Sequence, residues 1–393
     1  MARYDYLIVG GGMTADAAAR GIRERDTRGS IAIIGAERDP PYNRPPLTKG
    51  LWKGDALDSI WRKTDEVHVD LQLGRRVAAL DAERKQVTDD QGTTYDYRTL
   101  LLATGGEPRT LPGAPDGIIY FRTLADYRRS RDLADRGRRF VVIGGGFIGS
   151  EIAAALRLQN CDVTMVLRDK GIGARIFPAD LSTSLVEYYR TKGVTVHLGE
   201  SVSKIARAAD RRFVVDTGGA GRLEADAVIA GLGIAPATEL AEQAGLPLDD
   251  GIVVDEELRA GRDGIYAAGD VARFHNPALG KRIRVEHEDN ANTMGKIAGL
   301  NMAGAGLRYE HLPFFYSDLF DRGYEAVGDV DAGLETVADW KEPFKEGVVY
   351  YLERGRVRGV LLWNTWNQVD AARALIAEPG PFRPNQLKGR LPA

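Results

Sequence analysis

Near the amino terminus, two short apolar runs flank a glycine cluster and an alanine-rich stretch. The apolar run Tyr6–Val9 is followed by three glycines, Gly10 to Gly12, and then by an alanine-rich stretch from Met13 to about Arg25. A second apolar run, Ser30–Ile34, comes next. Because short apolar runs favour buried strands and longer alanine-rich stretches favour helices, the pattern predicts a strand–helix–strand unit with glycines before the helix.

The same arrangement recurs in the middle of the chain. The apolar run Phe140–Ile143 precedes Gly144-Gly145-Gly146 and Gly149, and a helix is predicted to extend to about Gln159. The strand-like run Asp162–Leu167 follows it. An internal duplication of this unit predicts two nucleotide-binding sites on parallel sheets.

Three further apolar runs end in small residues, as strands of such sheets do: Leu100–Leu102, Ala227–Ala230 and Gly264–Ala268. Between the first two, Phe213–Asp216 and Arg222–Ala225 alternate around a glycine-rich turn and predict a hairpin. The carboxyl-terminal part of the chain has a different pattern and predicts an α+β domain. Its strand-like runs are Tyr324–Val330, Gly347–Leu352 and Val357–Trp363, and a helix is predicted at Gln368–Ala377.

The predicted fold class is therefore α/β, with two Rossmann-like dinucleotide-binding domains and a carboxyl-terminal α+β domain. A chain of 393 residues is long enough for two or three domains. The predicted boundaries are a discontinuous first domain at 1–113 and 245–312, a second at 114–244 and a third at 313–393.

Charge and composition exclude several classes of function. A net charge of −3 gives no reason to expect a nucleic-acid partner. No run of about 18 apolar residues predicts a membrane span, and no targeting segment precedes the first strand, so we expect a cytoplasmic protein. Cys161 is the single cysteine of the chain, which rules out an intrachain disulfide or redox pair. Electrons must then be carried by a bound cofactor, and we expect no metal.

The first glycine cluster reads Gly10-x-Gly12-x-x-Ala15, a dinucleotide fingerprint with alanine in the third position. Its first glycine allows a tight turn and its second lets a pyrophosphate approach the helix amino terminus. Glu37, which follows the second strand, is the candidate for the ribose hydroxyls.

The second cluster, Gly144-x-Gly146-x-x-Gly149, has all three glycines. Leu167 occupies the usual position of the ribose-binding acid. Asp169 favours NADH because it would bind a 2′-hydroxyl, whereas Arg168 or Arg175 would suit the 2′-phosphate of NADPH. NADH is the preferred reading, and NADPH stays open.

The segment Pro40–Trp52 (PPYNRPPLTKGLW) is more specific. Together with GGGFIGSE at 144–151, IYAAGD at 265–270 and RVEHED at 284–289, it resembles flavoprotein reductases with two dinucleotide domains, which include NADH-dependent ferredoxin and rubredoxin reductases. FYSDLFDRGYEAVG at 315–328 and VLLWN at 360–364 resemble the apoptosis-inducing-factor branch, in which tryptophan occupies the position of Tyr316.

The resemblance implies that FAD binds the first domain and NADH or NADPH the second. It implies an ion pair of Lys49 and Glu151 beside flavin N5, the hydride-accepting atom, with His287 close by; these three are the candidate catalytic residues. The implied FAD residues are Gly10, Gly12, Ala15, Glu37, Arg44, Lys49, Val77, Ala103, Thr104, Gly105, Asp270, Glu286, His287 and Tyr316. The implied nucleotide residues are Gly144, Gly146, Gly149, Glu151, Asp169, Arg175, Gly233 and Glu325.

The implied activity is hydride transfer from the pyridine nucleotide to FAD, followed by electron transfer to a small ferredoxin or rubredoxin. Two alternatives stay open. One is reduction of a quinone or another small molecule, and the other is an apoptosis-inducing-factor-like protein with slow turnover and a stable reduced flavin–NAD complex. Either a monomer or a homodimer is compatible with the sequence.

Overall fold

The computed structural model describes residues 2–209 and 212–391. Its chain divides into two compact units. Unit 1 comprises Met1–Arg44, Asp58–Glu107 and Ala235–Phe314, and unit 2 comprises Pro45–Leu57, Pro108–Ile234 and Phe315–Ala393. The three domain boundaries expected from the sequence stay a prediction.

Unit 1 is built on a seven-stranded sheet. Ala2–Val9 pairs in parallel with Ile31–Gly35 on one side and with Thr94–Leu102 on the other. The last four residues of the first strand and all of the second are buried, which explains their continuous apolar sequence. The complete order is Asp70–Leu73, Ile31–Gly35, Ala2–Val9, Thr94–Leu102, Gln86–Asp89 and Val77–Asp81, with Ile265–Ala267 pairing in parallel with the carboxyl half of Thr94–Leu102.

Two helices of unit 1 pack very closely because small residues line their contact. They are Met13–Arg25 and Glu288–Met302. A Cβ added at Gly299 would lie 2.0 Å from the Ala18 carbonyl oxygen, and one at Gly21 would lie 2.3 Å from that of Lys296. Glycine is therefore required on both helices for this approach.

Unit 1 also contains a three-stranded sheet, and its remaining helices are short. The strands of this sheet are Ile252–Val253, Ala272–Asn276 and Lys281–Ile283. The short helices are Thr64–Val67, Glu239–Gln243 and the single turn Gly269–Val271, with Leu57–Ile60 at the boundary.

Unit 2 contains the second parallel sheet. Its four strands follow the order Thr195–Leu198, Asp162–Leu167, Arg139–Ile143 and Ala227–Ala230. The helices beside this sheet are Leu124–Asp135, Phe147–Leu158 and Ala179–Thr191, and unit 2 also contains the short 3-10 helices Pro45–Thr48 and Gly50–Trp52. The hairpin expected at Phe213–Asp216 and Arg222–Ala225 is present, with its first strand extended to Phe213–Thr217, and it gains a third strand, Val202–Arg207. Two short strands, Gly106–Pro108 and Ile234–Pro236, occur where the chain passes from one unit to the other.

The carboxyl-terminal part of unit 2 is a five-stranded sheet followed by helices Val369–Ala377 and Pro384–Leu387. Its strands follow the order Phe314–Leu319, Arg322–Gly328, Arg356–Trp363, Glu346–Glu353 and Glu335–Glu342. The strand expected at Tyr324–Val330 begins and ends two residues earlier, at Arg322–Gly328.

These sheets confirm the expected fold class, with two Rossmann-type parallel sheets and a carboxyl-terminal sheet domain. Within the described residues, no helix has the length and apolar character needed to cross a membrane.

Candidate functional site

The first glycine loop, Gly10–Gly12, leaves the start of helix Met13–Arg25 open. Gly10 has φ +118°, and a Cβ there would lie 2.1 Å from the Ala103 carbonyl oxygen. A Cβ at Gly12 would meet no atom within 4 Å, and no side chain caps this helix. Ala15 is fully buried beneath the loop. Open space before an uncapped helix amino terminus fits the pyrophosphate of a dinucleotide.

Glu37 and Arg44 form a charged cluster with Tyr42. Arg44 Nη2 lies 2.5 Å from Glu37 Oε1, and the Tyr42 hydroxyl donates to Glu37 Oε2 at 2.7 Å. Burial lowers the pKa of the Arg44 guanidinium, but its electrostatic interactions with Tyr42, Glu37 and Asp270 and its hydrogen bond to Glu37 outweigh burial and raise the pKa above its usual value. Arg44 therefore keeps its charge and holds Glu37 in one orientation.

Several predicted FAD residues follow neighbouring parallel strands at their carboxyl ends. Ala103, Thr104 and Gly105 follow Thr94–Leu102, and Asp270 follows Ile265–Ala267. The Ala103 N–H donates to the Val9 carbonyl at 2.8 Å, and the Thr104 hydroxyl donates to the Ala237 carbonyl at 2.7 Å. Ligands bind beyond the carboxyl ends of strands in open α/β sheets, so these positions suit a cofactor site.

Of the other predicted FAD residues of unit 1, one lies on a strand and two are adjacent in the segment before a helix. Val77 begins a strand and is 8% exposed. Glu286 accepts from Arg284 Nη1 at 2.6 Å, and the same nitrogen donates to the Asp270 carbonyl at 3.1 Å. His287 is the residue before helix Glu288–Met302, which starts without a side-chain cap.

The second glycine loop, Gly144–Gly146, repeats the geometry of the first. Gly144 has φ +104°, and a Cβ there would lie 2.3 Å from the Gly231 carbonyl oxygen. A Cβ at Gly149 would lie 2.0 Å from the Gly144 carbonyl oxygen, whereas one at Gly146 or Gly233 would meet nothing within 4 Å. The first and third glycines are required by packing, and Gly146 leaves room at the amino terminus of helix Phe147–Leu158.

Leu167, in the usual acid position, belongs to the core. It is 1% exposed, and its Cδ2 would lie 2.4 Å from a Cβ on Gly145. Asp169, two residues later, is 45% exposed and lies 3.4 Å from Arg175, which is 73% exposed. An accessible carboxylate and an accessible guanidinium therefore lie together beyond this strand.

Lys49 and Glu151 form a buried ion pair within unit 2. Their Nζ and Oε1 atoms are 2.7 Å apart, and the side chains are 11% and 4% exposed. Lys49 Nζ also lies 5.2 Å from the centre of the Tyr316 ring. The pair implied by the resemblance is thus present, although its role beside a flavin stays a prediction.

Glu325, on strand Arg322–Gly328, is partly buried. Burial raises the pKa of its carboxyl, and the backbone N–H of Asn367 offsets part of that rise. Within the described residues, its Oε2 atom is buried and has no hydrogen-bond partner.

Two residues of the Glu151 cluster were missed by sequence reasoning. The Thr48 hydroxyl donates to Glu151 Oε2 at 2.5 Å, and the Ser317 hydroxyl donates to Glu151 Oε1 at 2.6 Å. Each is the sequence neighbour of a predicted site residue, Lys49 or Tyr316. That adjacency was the only available signal, because single hydroxyl residues form no recognisable pattern.

Comparisons with known proteins cover nearly the whole chain. The family described as pyridine nucleotide-disulphide oxidoreductase matches residues 4–295, and the carboxyl-terminal domain of mitochondrion-associated apoptosis-inducing factor matches residues 298–343 and 338–378.

Among curated relatives, the ferredoxin–NAD(+) reductase component of an anthranilate 1,2-dioxygenase system from Burkholderia cepacia is 36% identical. That alignment covers 97% of this chain and 96% of the relative. Apoptosis-inducing factor 1 of Dictyostelium discoideum is 34% identical, over 95% of this chain and 78% of the relative.

Among solved structures, a chain of the covalent putidaredoxin reductase–putidaredoxin complex has a TM-score of 0.90 and 32% identity. The match covers 98% of this chain and 96% of that one. These matches confirm the resemblance found in the sequence and make the chain an oxidoreductase that uses FAD and a pyridine nucleotide. The chain belongs to the pyridine nucleotide-disulphide oxidoreductase family.

Proposed function

We propose that the chain is an NADH-dependent reductase of a small iron–sulfur protein of the ferredoxin or rubredoxin type. The observation that carries the proposal is the similarity to a ferredoxin reductase component over 97% of the chain. The two family matches together span both glycine loops and the carboxyl-terminal sheet. The single cysteine argues against a dithiol as the electron carrier, even though the family is named for disulphide chemistry.

FAD would supply the redox chemistry, accepting hydride from the nicotinamide and passing electrons on. The open turn at Gly12 and the carboxylates of Glu37 and Asp270 would hold its pyrophosphate and sugar groups. Arg44 would fix Glu37 through their 2.5 Å contact. Gly146 would play the part of Gly12 for the pyridine nucleotide.

The Lys49–Glu151 pair would position the nicotinamide against the flavin. Both side chains are nearly excluded from water, and the attraction between their opposite charges holds each in a fixed orientation. Because hydride transfer depends on close and aligned reacting atoms, a rigid charged pair contributes mainly through geometry. Tyr316, whose ring centre lies 5.2 Å from Lys49 Nζ, would line the same end of the site.

We expect flavin reduction to be faster with NADH than with NADPH. The accessible carboxylate of Asp169 would bind a ribose 2′-hydroxyl and repel a 2′-phosphate. Arg175 lies 3.4 Å from this carboxylate, which partly neutralises the guanidinium and weakens its attraction for a 2′-phosphate. The measurement is the rate of anaerobic flavin reduction with each nucleotide. Asp169→Asn should lower the ratio of the NADH rate to the NADPH rate. A faster rate with NADPH in the unaltered protein would contradict the assignment of NADH as the electron donor.

The acceptor is tested by mixing NADH-reduced protein with an oxidised ferredoxin under argon. We expect rapid reoxidation of the flavin, followed in a coupled assay by reduction of cytochrome c. A quinone in place of the ferredoxin tests the small-molecule alternative. Fast reoxidation by the quinone together with none by ferredoxins or rubredoxins would contradict the proposed acceptor.

A second candidate function rests on the match of residues 298–343 and 338–378 to the apoptosis-inducing-factor carboxyl-terminal domain. A protein of this kind would turn over slowly and keep its reduced flavin in a complex with NAD. A long-wavelength charge-transfer absorbance that persists for minutes after NADH addition, with a change in oligomeric state, would favour this candidate over the reductase.

A further inference from the structure

The Glu151 carboxylate has more hydrogen-bond donors than its ion pair alone provides. It accepts from Lys49 Nζ at 2.7 Å, from the Ser317 hydroxyl at 2.6 Å and from the Thr48 hydroxyl at 2.5 Å. Ser317 is 0% exposed and Thr48 is 6% exposed. Water therefore has little access to replace a lost donor, and each hydrogen bond to the charged group matters.

The surroundings of Glu151 strengthen these bonds. Burial raises the pKa of the Tyr189 and Tyr324 phenols well above the usual value, and the charge of Glu151 adds to the rise in both. Both tyrosines are buried and stay neutral, and the Tyr324 phenol is also hydrogen-bonded with the Ser317 side chain. In such a buried environment a charge-assisted hydrogen bond is stronger than in water.

Ser317 comes from a different part of the chain than the other two donors. Thr48 and Lys49 are adjacent, so one backbone segment places both. Ser317 lies on strand Phe314–Leu319 of the carboxyl-terminal sheet, 166 positions along the chain from Glu151. Its hydroxyl reaches Glu151 only if this sheet is docked correctly on helix Phe147–Leu158.

The turn that follows this strand packs against helix Ala179–Thr191 and the residue that follows it. Phe320 has φ +63°, a conformation that is unfavourable for a bulky residue and persists only when surrounding contacts enforce it. Its ring packs on that of Tyr189, with centroids 5.0 Å apart, and the Tyr189 hydroxyl donates to the Ser150 carbonyl at 2.9 Å. Asp321 pairs with Lys192 at 2.7 Å. The turn is thus tied to the residue next to Glu151.

We propose that Ser317 is a positioning residue, whose hydroxyl holds the Glu151 carboxylate in the orientation that pairs with Lys49. This inference rests on the proposed function, in which the Lys49–Glu151 pair positions the nicotinamide. It assigns the carboxyl-terminal sheet a part in the hydride-transfer step. Loss of the hydroxyl would slow that step and leave FAD binding unchanged.

The test is Ser317→Ala in the FAD-loaded protein, with stopped-flow measurement of flavin reduction over a range of NADH concentrations. We expect the limiting rate to fall about tenfold, the scale of one hydrogen bond to a charged group, with unchanged FAD content. Ser317→Cys keeps roughly the side-chain volume but replaces the hydroxyl with a weak donor, so its limiting rate should fall as that of Ser317→Ala does. Ser182→Ala is the control, because it removes another buried hydroxyl, bonded to the Ile172 carbonyl at 2.8 Å.

A double-mutant cycle separates positioning from a general structural effect. In a Glu151→Gln background, removing the Ser317 hydroxyl should change the limiting rate less than twofold, because no carboxylate remains to be oriented. An equal fall in both backgrounds would overturn the proposal, as would a normal rate in Ser317→Ala or Ser317→Cys. A wild-type protein whose flavin NADH fails to reduce would instead count against the proposed function itself.

Discussion

Lys49→Ala and Glu151→Gln should each slow flavin reduction by NADH about 100-fold while FAD stays bound. The two side chains are 2.7 Å apart and almost excluded from water, so either change leaves a buried group without its charged partner. Loss of fixed geometry at a reacting centre typically costs this much in rate. The measurement is the limiting rate of anaerobic flavin reduction, with FAD content determined on the same samples.

Lys53→Ala is the matched control for Lys49→Ala. Lys53 lies on the same segment and pairs with Asp318 at 2.9 Å, but its side chain is 44% exposed. Surface ion pairs of this kind contribute little, so the control should reduce its flavin at the wild-type rate. Unchanged rates in both Lys49→Ala and Glu151→Gln would rule out a role of the pair beside the flavin.

Gly12→Ala and Gly146→Ala should each abolish or weaken the binding of one nucleotide only. At both positions an added Cβ meets no protein atom within 4 Å, and φ is −95° at Gly12 and −80° at Gly146, values that alanine adopts readily. The methyl group would instead occupy the space assigned to a pyrophosphate. We therefore expect Gly12→Ala to be isolated without flavin, and Gly146→Ala to keep FAD but bind NADH at least about tenfold more weakly.

The two glycine variants serve as controls for each other, and Gly149→Ala provides the contrast. An added Cβ at Gly149 would lie 2.0 Å from the Gly144 carbonyl oxygen, so this change should lower the thermal unfolding temperature. Gly146→Ala should leave that temperature unchanged. Normal binding of FAD by Gly12→Ala together with normal binding of NADH by Gly146→Ala would contradict the assignment of both sites.

The repeated glycine loops were predictable from sequence because their requirements are local. A tight turn at Gly10 or Gly144 and a close contact at Gly149 each exclude a side chain at a fixed spacing from an apolar strand. The same strands are buried on both faces, which makes their apolar runs continuous and easy to recognise. The two Rossmann-like parts of the fold class followed from these features.

The partners of Glu151 were not predictable in the same way. Ser317 reaches the carboxylate across 166 positions, through the docking of a separate sheet, and a lone serine leaves no pattern in the sequence. Strand Val202–Arg207 was missed because only Ile205 is buried in it. Leu167 shows the converse, since its replacement of the expected acid is explained only by the structure, in which it packs beneath Gly145.

We expect this chain to carry FAD that is reduced by a pyridine nucleotide and reoxidised by an external acceptor. The most direct test is an anaerobic titration of the purified protein with NADH, followed by addition of an oxidised ferredoxin. The purified protein should be yellow, and its flavin absorbance should be lost on NADH addition and return when the ferredoxin is added. A protein that carries no flavin and cannot be reconstituted with FAD would contradict it.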